Sequence, residues 1–499
     1  MKLKDLIKDI DKKVYNFKNI DIKGIAFDSR KVRDGYIFVA LKGEKEDGHK
    51  FIPEAIERGA KCIVVEKKTS FLISDVVEIV VDDTKKVLAI ISSRFYNDPS
   101  SKLKIVGITG TNGKTTTSFL IKNILEKAGE KTGLIGTISY QIGKRQIISF
   151  NTTPESADLQ AFFSEMLKEE CKWAVLEISS HGIEQRRILG INFDCGIFTN
   201  ITPFEHLDYH KTFKNYLQTK LKFFSIYLKE SKKENKKAII NLDDKFSSYF
   251  LREAKKAKIE SIITYGKHRK SDIKLIDYSL TRNGNKIVFQ RYGEKIEVFT
   301  HLRGIGNVYN CLAAISFATG YNIDKEIIIK GIEETLSVPG RFEFVDEGQP
   351  FDIIVDYAHT HNALLTLLQS VRQMKPKRII LVFGCGGNRD KSKRPLMGKI
   401  GVKLSDIVIL TSDNPRSEEP REIIKDIEKG IPFYLKKKYA VIIDRKQAIK
   451  EAISIAKEND CVVIAGKGHE TFQILKDVTV PFDDREEAKK TVKELYGKN

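Results

Sequence analysis

Apolar and polar positions along the chain follow two periods, one typical of buried strands and one typical of amphipathic helices. Short apolar runs such as GIAFDSR, YIFVAL and CIVVE come first, and the runs WAVLEIS, CGIFTN and KAIINL follow. Between them Leu120, Ile121, Ile124 and Leu125 recur at the spacing of one helix face, after an apolar strand that begins at Leu103. Apolar strands separated by helices predict a largely parallel α/β sheet.

Two breaks divide this pattern into three regions. The sequence NDPSS at 97–101 has the composition of a loop, and VPG at 338–340 precedes four more apolar runs, FDIIVDYAH, RIILVFG, DIVILTSD and CVVIAGKG. We therefore predict an α/β fold with three domains. These are an N-terminal α/β domain over 1–99, a central phosphate-loop domain with a parallel sheet over 100–336, and a Rossmann-like α/β domain over 337–499.

The composition is typical of a globular protein and not of a membrane or secreted protein. The chain has 499 residues, of which 41% are hydrophobic and 31% are charged, as in a folded globular protein. We find no apolar run of the roughly 20 residues that a bilayer-spanning helix needs. The N-terminus MKLKDLIKDIDKK lacks the apolar centre of a signal peptide. We expect a cytoplasmic protein without a membrane span.

The net charge of +19 raises the question of nucleic-acid binding. The lysines are spread along the whole chain, and no zinc-finger, RNP or basic-zipper pattern accompanies them. A basic balance also attracts a small polyanionic substrate, so we do not expect a nucleic-acid partner. The six cysteines form no CxxC pair and lie in apolar runs, which favours buried thiols over disulfides or zinc ligands.

A glycine-rich turn follows the strand that begins at Leu103. Its residues are Gly110, Thr111, Asn112, Gly113, Lys114, Thr115 and Thr116. Glycines let the backbone fold around phosphate oxygens, while Lys114 would reach the β- and γ-phosphates and the Thr115 hydroxyl would bind Mg²⁺. The match, GxxGKT, is shorter than the full phosphate-loop motif because Ile108 occupies the first glycine position. The turn predicts binding of ATP or GTP.

Two further motifs suggest a metal. Glu177 ends the strand WAVLEIS, and carboxyl ends of such strands meet at the ligand-binding edge of the sheet. His206 and His210 have the spacing of a zinc pair on one helix, but Leu207 stands where the zincin motif needs glutamate. We prefer a magnesium role for His206, although an isolated histidine is more often structural.

The turn GTNGKTT resembles that of the superfamily that contains the Mur ligases and the folylpolyglutamate synthetases. Three later motifs resemble, in the same order, those of the MurE-type Mur ligases, namely LEISSHGIEQRR, FTNITPFEHLDYH and YLQTK. The resemblance implies that ATP phosphorylates a carboxylate and that an amine then displaces the phosphate. It also implies that CO₂ converts Lys220 to a carbamate, which holds Mg²⁺ together with Thr115, Glu177 and His206. Lys114, Lys220, His206 and Glu177 are then the expected catalytic residues.

The same resemblance extends to a UDP-linked substrate. The segment FDSR at 27–30 resembles the uridine-binding segment of the family, with Ser29 expected to contact uracil. The positions that match contacts to the muramoyl dipeptide are Asn151, Thr152, Thr153, Ser179, Gln185 and Arg187. Taken singly, Ser29 and Thr152 could also cap a turn or a helix.

Charged motifs follow each of the four strands of the third region, where strand ends should face one crevice. By resemblance, the residues expected near the nucleotide are Asn307, Arg341, Asp356 and His359. Those expected in a diamino acid pocket are Arg389, Asp413, Asn414, Pro415, Arg416, Gly466 and Glu470. The form DNPR resembles the branch that adds meso-diaminopimelate, because its arginine can bind the distal carboxylate.

These observations predict an ATP-dependent amide ligase of peptidoglycan biosynthesis. It would add a diamino acid, meso-diaminopimelate first, to the D-glutamate of UDP-N-acetylmuramoyl-L-alanyl-D-glutamate through an acyl phosphate. L-lysine or another diamino acid stays open as the substrate. A folylpolyglutamate synthetase-like ligase, a MurF-type ligase and a nucleic-acid-binding ATPase are the alternatives. We expect a monomer whose partners are these small molecules.

Overall fold

The N-terminal region builds a small sheet flanked by helices. The computed structural model of the chain describes residues 1–43, 46–70, 75–203, 205–281, 283–476 and 478–497. The first elements are α1 (Leu3–Leu6), β1 (Lys13–Tyr15), β2 (Gly24–Ala26), β3 (Tyr36–Val39), α2 (Ile52–Glu57), β4 (Ala60–Val65), β5 (Val77–Val80), α3 (Thr84–Phe95) and α4 (Pro99–Lys102). The strand order is β1-β5-β4-β3-β2, and only the β1–β5 pairing is antiparallel among these described strands.

The loop expected at 97–101 is partly helical. Asn97 and Asp98 adopt left-handed conformations, with φ of 58° and 49°, and Pro99 then begins the short helix α4. Proline is well suited to this first helical position because its missing N–H is not needed there. The domain limits at 99 and 336 stay predictions.

The central region is a large twisted sheet with helices on both faces. Its strands are β6 (Lys104–Thr109), β7 (Thr132–Ile135), β8 (Ser139–Ile142), β9 (Arg145–Ile148), β10 (Trp173–Ile178), β11 (Cys195–Phe198), β12 (Lys237–Asn241), β13 (Ser261–Gly266), β14 (Ile273–Thr281), β15 (Gly284–Arg291) and β16 (Glu294–Thr300). Its helices are α5 (Lys114–Lys127), α6 (Ser156–Lys168), α7 (Ser180–Glu184), α8 (Leu207–His210), α9 (Phe213–Lys222), α10 (Ser247–Lys256), α11 (Ile305–Gly320) and α12 (Lys325–Glu333).

The middle of this sheet is parallel, as predicted, and both of its edges are antiparallel. The strand order is β16-β15-β14-β13-β12-β11-β6-β10-β7-β8-β9. Strands β7, β10, β6, β11, β12, β13 and β14 are paired in parallel, whereas β8–β9 and β14–β15–β16 are antiparallel ribbons. In β16 the buried Ile296 and Val298 alternate with exposed Lys295 and Glu297, so one face packs inward and the other is charged.

The third region is a second, mostly parallel sheet. Its elements are β17 (Glu343–Phe344), β18 (Asp352–Asp356), α13 (His361–Gln373), β19 (Ile379–Phe383), α14 (Lys393–Leu404), β20 (Ile407–Leu410), α15 (Pro420–Glu428), β21 (Tyr439–Val441), α16 (Arg445–Ser454), β22 (Cys461–Ala465), β23 (Phe472–Leu475), β24 (Val478–Pro481) and α17 (Asp484–Tyr496). The order is β17-β18-β22-β19-β20-β21, with β23 and β24 forming a separate hairpin. All four strands predicted for this region are present.

Burial agrees with the sequence pattern. Leu120, Ile121, Ile124 and Leu125 of α5 pack into the core beneath the central sheet. The six cysteine side chains are buried as thiols, as predicted. Of the helices that the structure describes, none combines the length and the apolar composition needed to cross a bilayer.

Candidate functional site

The glycine-rich turn has a backbone that only glycine can adopt at two positions. β6 leads through residues 110–113 into α5. Gly110 has φ of +155°, and a Cβ there would lie 1.9 Å from Thr199 Oγ1. Gly113 has φ of +86°, and its Cβ would lie 2.3 Å from Asn310 Oδ1. The turn therefore presents backbone N–H groups at the N-terminus of α5, where phosphate oxygens bind.

A half-buried lysine and a fully buried lysine lie against this turn. The Lys114 ammonium donates to the carbonyl oxygens of Gly110 and Thr111, each at 2.9 Å. Lys220, on α9, donates to the Gly110 carbonyl at 2.9 Å and is 1% exposed. Burial lowers the pKa of Lys114 to about 8. Burial, followed by the nearby charge of Lys114, lowers the pKa of Lys220 well below its ordinary range. The lower pKa favours the neutral amine at Lys220 more strongly than at Lys114.

Glu177 is fully buried behind the turn. Its Oε2 accepts hydrogen bonds from the hydroxyls of Thr115 and Thr137, both at 2.9 Å, and its Oε1 accepts from the Thr137 N–H at 2.9 Å. The Thr137 hydroxyl also lies 3.1 Å from that of Thr152. The end of β10 and the phosphate turn are therefore joined through one carboxylate, as the position of Glu177 predicted.

His206 and His210 do not lie on one helix face, so their spacing does not produce a zinc pair, the alternative to a magnesium role for His206. His206 precedes α8 with φ of 56°, a left-handed conformation outside the helix. Its ring lies 5.6 Å from that of Tyr216 and 5.5 Å from that of His181. Burial, then the charge of Lys220, lowers the pKa of His206 well below 6.5, so the imidazole is neutral. The neighbouring Phe204 lies outside the described residues.

Arg341 connects the third region to the phosphate turn. Its Nη2 donates to Thr115 Oγ1 at 3.2 Å, and its guanidinium lies 4.6 Å from the centre of the Tyr357 ring. Asp356 accepts from the N–H groups of Phe342 and Ala358 at 2.7 and 2.8 Å, and its carboxylate attracts Arg341. The linker between the central and third regions is therefore part of the site.

His359 is a half-buried, neutral histidine in the loop that follows β18. Its Nδ1 lies 2.8 Å from the Tyr357 carbonyl, which fixes the proton on Nδ1 and leaves Nε2 as an acceptor. Burial, then the charge of Lys393, lowers the pKa of His359 to about 4. The Asn307 amide donates to the Arg303 carbonyl at 2.8 Å at the start of α11.

One cavity of about 630 Å³ gathers most of these groups. Every residue expected to bind ATP contributes to its wall, namely Gly110, Thr111, Asn112, Gly113, Lys114, Thr115, Thr116, Asn307, Arg341, Asp356 and His359. His206, Lys220, Thr152 and Ser179 also line it. Glu177 does not line the cavity itself, but it is hydrogen-bonded to Thr115 and Thr137, which do. The cavity thus lies between the central and third regions.

The residues expected to hold the dipeptide form a hydrogen-bonded chain that starts at Glu177. Thr153 Oγ1 donates to the Glu177 carbonyl at 2.9 Å and accepts from the Ser179 N–H at 2.9 Å. Arg187 donates to the Thr153 carbonyl at 2.8 Å and to Gln185 Oε1 at 2.7 Å. Side chains expected to share one substrate are therefore adjacent.

Asn151 lies at the outer end of this group. Its backbone N–H and carbonyl both bond to the Tyr140 hydroxyl, at 3.0 and 2.7 Å, and its side chain is exposed. Ser29 is elsewhere, in the N-terminal region, where its hydroxyl donates to Glu54 Oε2 at 2.7 Å. The turn there is capped by Asp28 rather than by Ser29. The structure does not bring Ser29 to the cavity.

The expected diamino acid pocket is a second cluster, outside the cavity wall. Asn414 Nδ2 donates to Glu470 Oε2 at 2.8 Å, and the fully buried Lys467 donates to Asn414 Oδ1 and Glu470 Oε2, each at 3.1 Å. Asp413 Oδ2 would lie 2.6 Å from a Cβ at Gly466, whose φ is +117°. Burial raises the pKa of Glu470.

Arg416 projects into the loop that contains Arg389. Its Nη1 donates to the Gly387 carbonyl at 2.9 Å, and its own φ is 53°. A Cβ at Gly387 would lie 1.8 Å from the Pro415 carbonyl oxygen, so this loop needs glycine there. Burial, then the positive charge of Arg389, lowers the pKa of Arg416. Two like charges held close together suit an anionic ligand group.

Sequence reasoning missed several groups in these clusters. Asn200, Asn241 and Asp243 line the cavity after the ends of β11 and β12, and Thr137 follows β7. The rule that ligands gather at the carboxyl ends of strands could have identified Asn200, Asn241 and Asp243, because the apolar runs of β11 and β12 were recognised, whereas the run of β7 was not. Lys467 was passed over because lysine usually stays solvated, although it lies between Gly466 and Glu470.

The donors around the turn fit a hard cation only in part. The Thr115 hydroxyl and the Glu177 carboxylate are the oxygen ligands that Mg²⁺ prefers, and they are in contact. His206 and Lys220 complete the expected set from the cavity wall. Among the described residues, no three His, Cys, Asp or Glu side chains are clustered as a metal site. A carbamate on Lys220 would add an oxygen donor to this set.

Comparison with known families matches nearly the whole chain in three parts. The Mur ligase family, catalytic domain, matches residues 21–96, the Mur ligase middle domain matches 108–318, and the Mur ligase glutamate ligase domain matches 340–468. These matches follow the order of the three sheets.

Full-length relatives agree with the family matches. Proteins named UDP-N-acetylmuramoyl-L-alanyl-D-glutamate--2,6-diaminopimelate ligase from Clostridium tetani and Clostridium perfringens are 44% and 45% identical to this chain. The match to the Clostridium tetani protein covers 99% of this chain and 100% of that protein, and the match to the Clostridium perfringens protein covers 97% of this chain and 98% of that protein. A relative of the same name from Geobacillus kaustophilus is 43% identical over 96% of this chain and 97% of its own.

Solved structures support the same architecture. The structure of a UDP-N-acetylmuramoyl-L-alanyl-D-glutamate--2,6-diaminopimelate ligase superposes with a TM-score of 0.66 at 31% identity, covering 95% of both chains. A MurF ligase from Thermotoga maritima in complex with ADP superposes with a TM-score of 0.63 at 21% identity, covering 95% of this chain and 97% of that one. The second likeness concerns the fold alone.

Proposed function

This chain belongs to the Mur ligase family, and we propose that it joins meso-diaminopimelate to the D-glutamate of UDP-N-acetylmuramoyl-L-alanyl-D-glutamate at the expense of ATP. Its relatives at 43 to 45% identity carry the name of that ligase over essentially their full length. The reaction forms an amide, ADP and phosphate. It belongs to peptidoglycan biosynthesis.

A single observation carries the proposal. The residues expected to bind ATP line one cavity together with Thr152 and Ser179, which are expected to bind the dipeptide. A nucleotide phosphate and a substrate carboxylate can therefore be held in the same space. Positioning the two reactants in this way accounts for much of the rate enhancement expected of such an enzyme.

Activation of the carboxylate follows from the charges in the cavity. The γ-phosphate would lie against Lys114 and the N-terminus of α5, where the carboxylate oxygen attacks phosphorus and ADP leaves. Arg341, in contact with Thr115, would neutralise charge on the transferred phosphoryl group. The product of this step is an acyl phosphate.

Lys220 fits a carbamate because it combines burial with a neutral amine. Only an unprotonated amine reacts with CO₂, and burial lowers the pKa of Lys220 well below its ordinary range. We propose that the resulting carbamate, with Thr115, Glu177 and His206, would hold Mg²⁺. Magnesium would supply charge neutralisation between the phosphates.

The amine would come from the cluster around Asn414. Glu470 and Asp413 offer carboxylates to an ammonium group, and Arg416 with Arg389 offers guanidinium groups to a carboxylate. A diamino acid that has a second carboxylate at its distal end can bind both the carboxylates and the arginines of the cluster. Lysine has only an ammonium group at its distal end, so it would leave the arginines without a partner there. This difference favours meso-diaminopimelate. Attack of the unprotonated amine on the acyl carbon then releases phosphate.

A product assay tests the proposal. Purified protein would be given ATP, Mg²⁺ and the UDP-linked dipeptide together with equal amounts of meso-diaminopimelate, L-lysine and lanthionine, and the products would be read by mass spectrometry. We expect the diaminopimelate adduct to dominate and phosphate release to require both the dipeptide and a diamino acid. Phosphate release without the dipeptide, or glutamylation of a folate, would overturn the assignment.

A further inference from the structure

A fully buried ion pair lies directly beneath the diamino acid cluster. Arg445, the first residue of α16, bonds to Asp484, the first residue of α17, through Nε to Oδ1 and Nη2 to Oδ2, each at 2.7 Å. Both side chains are 0% exposed. Replacing such a pair with apolar residues is often neutral or stabilising, so stability alone does not account for it.

The remaining donors of this guanidinium reach two strand ends. Arg445 Nη1 donates to the Ser412 carbonyl at 3.3 Å and Nη2 donates to the Ala465 carbonyl at 3.1 Å. Ser412 immediately precedes Asp413, and Ala465 immediately precedes Gly466. Since β19 lies between β20 and β22, one planar group spans two strands at the edge that carries the cluster.

The separation of these strand ends must be maintained closely. A Cβ at Gly466 would already lie 2.6 Å from Asp413 Oδ2, so the carboxylate of Asp413 packs against the Gly466 backbone. The Asp413 carbonyl also accepts a hydrogen bond from Gln473 at 2.6 Å. A shift of either strand end would therefore move Asp413 relative to Glu470.

We propose that Arg445, held by Asp484, is a positioning residue for diamino acid recognition, because it fixes the backbone that presents Asp413 and Gly466. This inference rests on the proposed function of the cluster. The positive charge of Arg445 also attracts the carboxylates of Asp413 and Glu470, in addition to that of Asp484. Arg445 thus influences both the position and the charge of the groups that would meet the substrate ammonium.

The test compares two double variants of the full chain. Arg445→Met/Asp484→Leu removes the pair without leaving an unpaired buried charge. The control, Arg378→Met/Asp460→Leu, removes a partly exposed pair of the same two residue types, with Nε to Oδ2 at 3.0 Å, at the opposite end of β22. Steady-state KM for diaminopimelate, KM for ATP and kcat are measured for each, with circular dichroism to follow folding.

We expect the Arg445 variant to raise KM for diaminopimelate at least about tenfold, the equivalent of one hydrogen bond to a charged group, with KM for ATP unchanged. The control should leave both constants unchanged. A parallel rise in both KM values, or an equal effect in the control, would overturn the inference.

A single variant decides the matter if the double variant does not fold. Arg445→Lys keeps the charge but cannot span both carbonyls, so a selective rise in KM for diaminopimelate supports the positioning role. An unchanged KM rejects it. If the unaltered protein forms no amide with any diamino acid, the proposed function itself fails, and that result is distinct from either outcome for Arg445.

Discussion

Lys114 and Lys220 share one hydrogen-bond acceptor, the carbonyl oxygen of Gly110, with each Nζ at 2.9 Å. The two amines come from different helices and converge beneath the phosphate turn. Lys220 is fully buried and Lys114 is half-buried, and desolvation lowers the pKa of both. We therefore expect Lys114 to be the cation for phosphate, while the stronger depression of the pKa of Lys220 favours a neutral amine.

Loss of the Lys220 side chain should slow turnover strongly. We expect Lys220→Ala to reduce kcat by about 10²–10³, the usual cost of removing one charge-stabilising group. Added formate or acetate should restore part of the activity by entering the vacated space. Lys222→Ala is the control, because Lys222 lies on the same helix and pairs with Glu184 at the surface. Full activity of Lys220→Ala without added carboxylate would contradict the carbamate.

Arg416 should affect the amino acid substrate and not the nucleotide. Truncation in Arg416→Ala removes a charged donor for the distal carboxylate, so KM for meso-diaminopimelate should rise about 10- to 100-fold. KM for ATP should stay unchanged, and the preference over L-lysine should shrink. Arg421→Ala, at an exposed position on α15, serves as the control. Equal losses for both substrates would refute this role.

The free energy of unfolding should decrease as the pH falls because of His359. Its folded-state pKa is about 4, below the ordinary 6.5, so between these values the unfolded chain binds a proton that the folded chain does not. The free energy of unfolding should therefore decrease as pH falls from 6.5 to 4, by up to about 1.4 kcal/mol per pH unit for this group. Denaturant titrations should show a shallower decrease in His359→Asn.

The control for this pH effect is His301→Asn, at an exposed position. That variant should keep the slope of the unaltered protein. An unchanged slope in His359→Asn would mean that other groups produce the loss of stability at low pH.

Ligands should draw the third region towards the central one. The nucleotide residues line the cavity, whereas Arg416 and Glu470 lie outside its wall. The amine must nevertheless reach the acyl carbon, so we expect domain closure during turnover. Small-angle scattering should show a smaller radius of gyration with an ATP analogue and the UDP-linked dipeptide. Unchanged dimensions would count against closure.

Local signals in the sequence predicted the parts of the site that depend on local geometry. The glycine turn between β6 and α5 and the charged motifs after β18, β19 and β20 are each strand-to-helix transitions, and the motif after β22 leads into the hairpin β23–β24. Strand direction alone then places them at one edge. For the same reason, the position of Glu177 could be inferred from a single apolar run.

Features that depend on contacts between distant residues could not be inferred in this way. The left-handed conformation of His206 follows from its surroundings and not from helical spacing. Arg445 and Asp484 are separated by 39 positions, and a sequence pattern does not reveal that they meet. The antiparallel ribbon β14–β16 was overlooked for a different reason: the prediction of strands rested on continuous apolar runs, whereas β16 alternates charged and apolar residues.

That ribbon also determines how the central sheet ends. Its last strand, β16, turns Lys295 and Glu297 outwards, and Glu297 is paired with Lys286 at 2.7 Å. A strand from a second copy would have to desolvate these charges to add to the exposed edge, which makes such growth unfavourable. The charges on this last strand thus protect the edge of the sheet against aggregation.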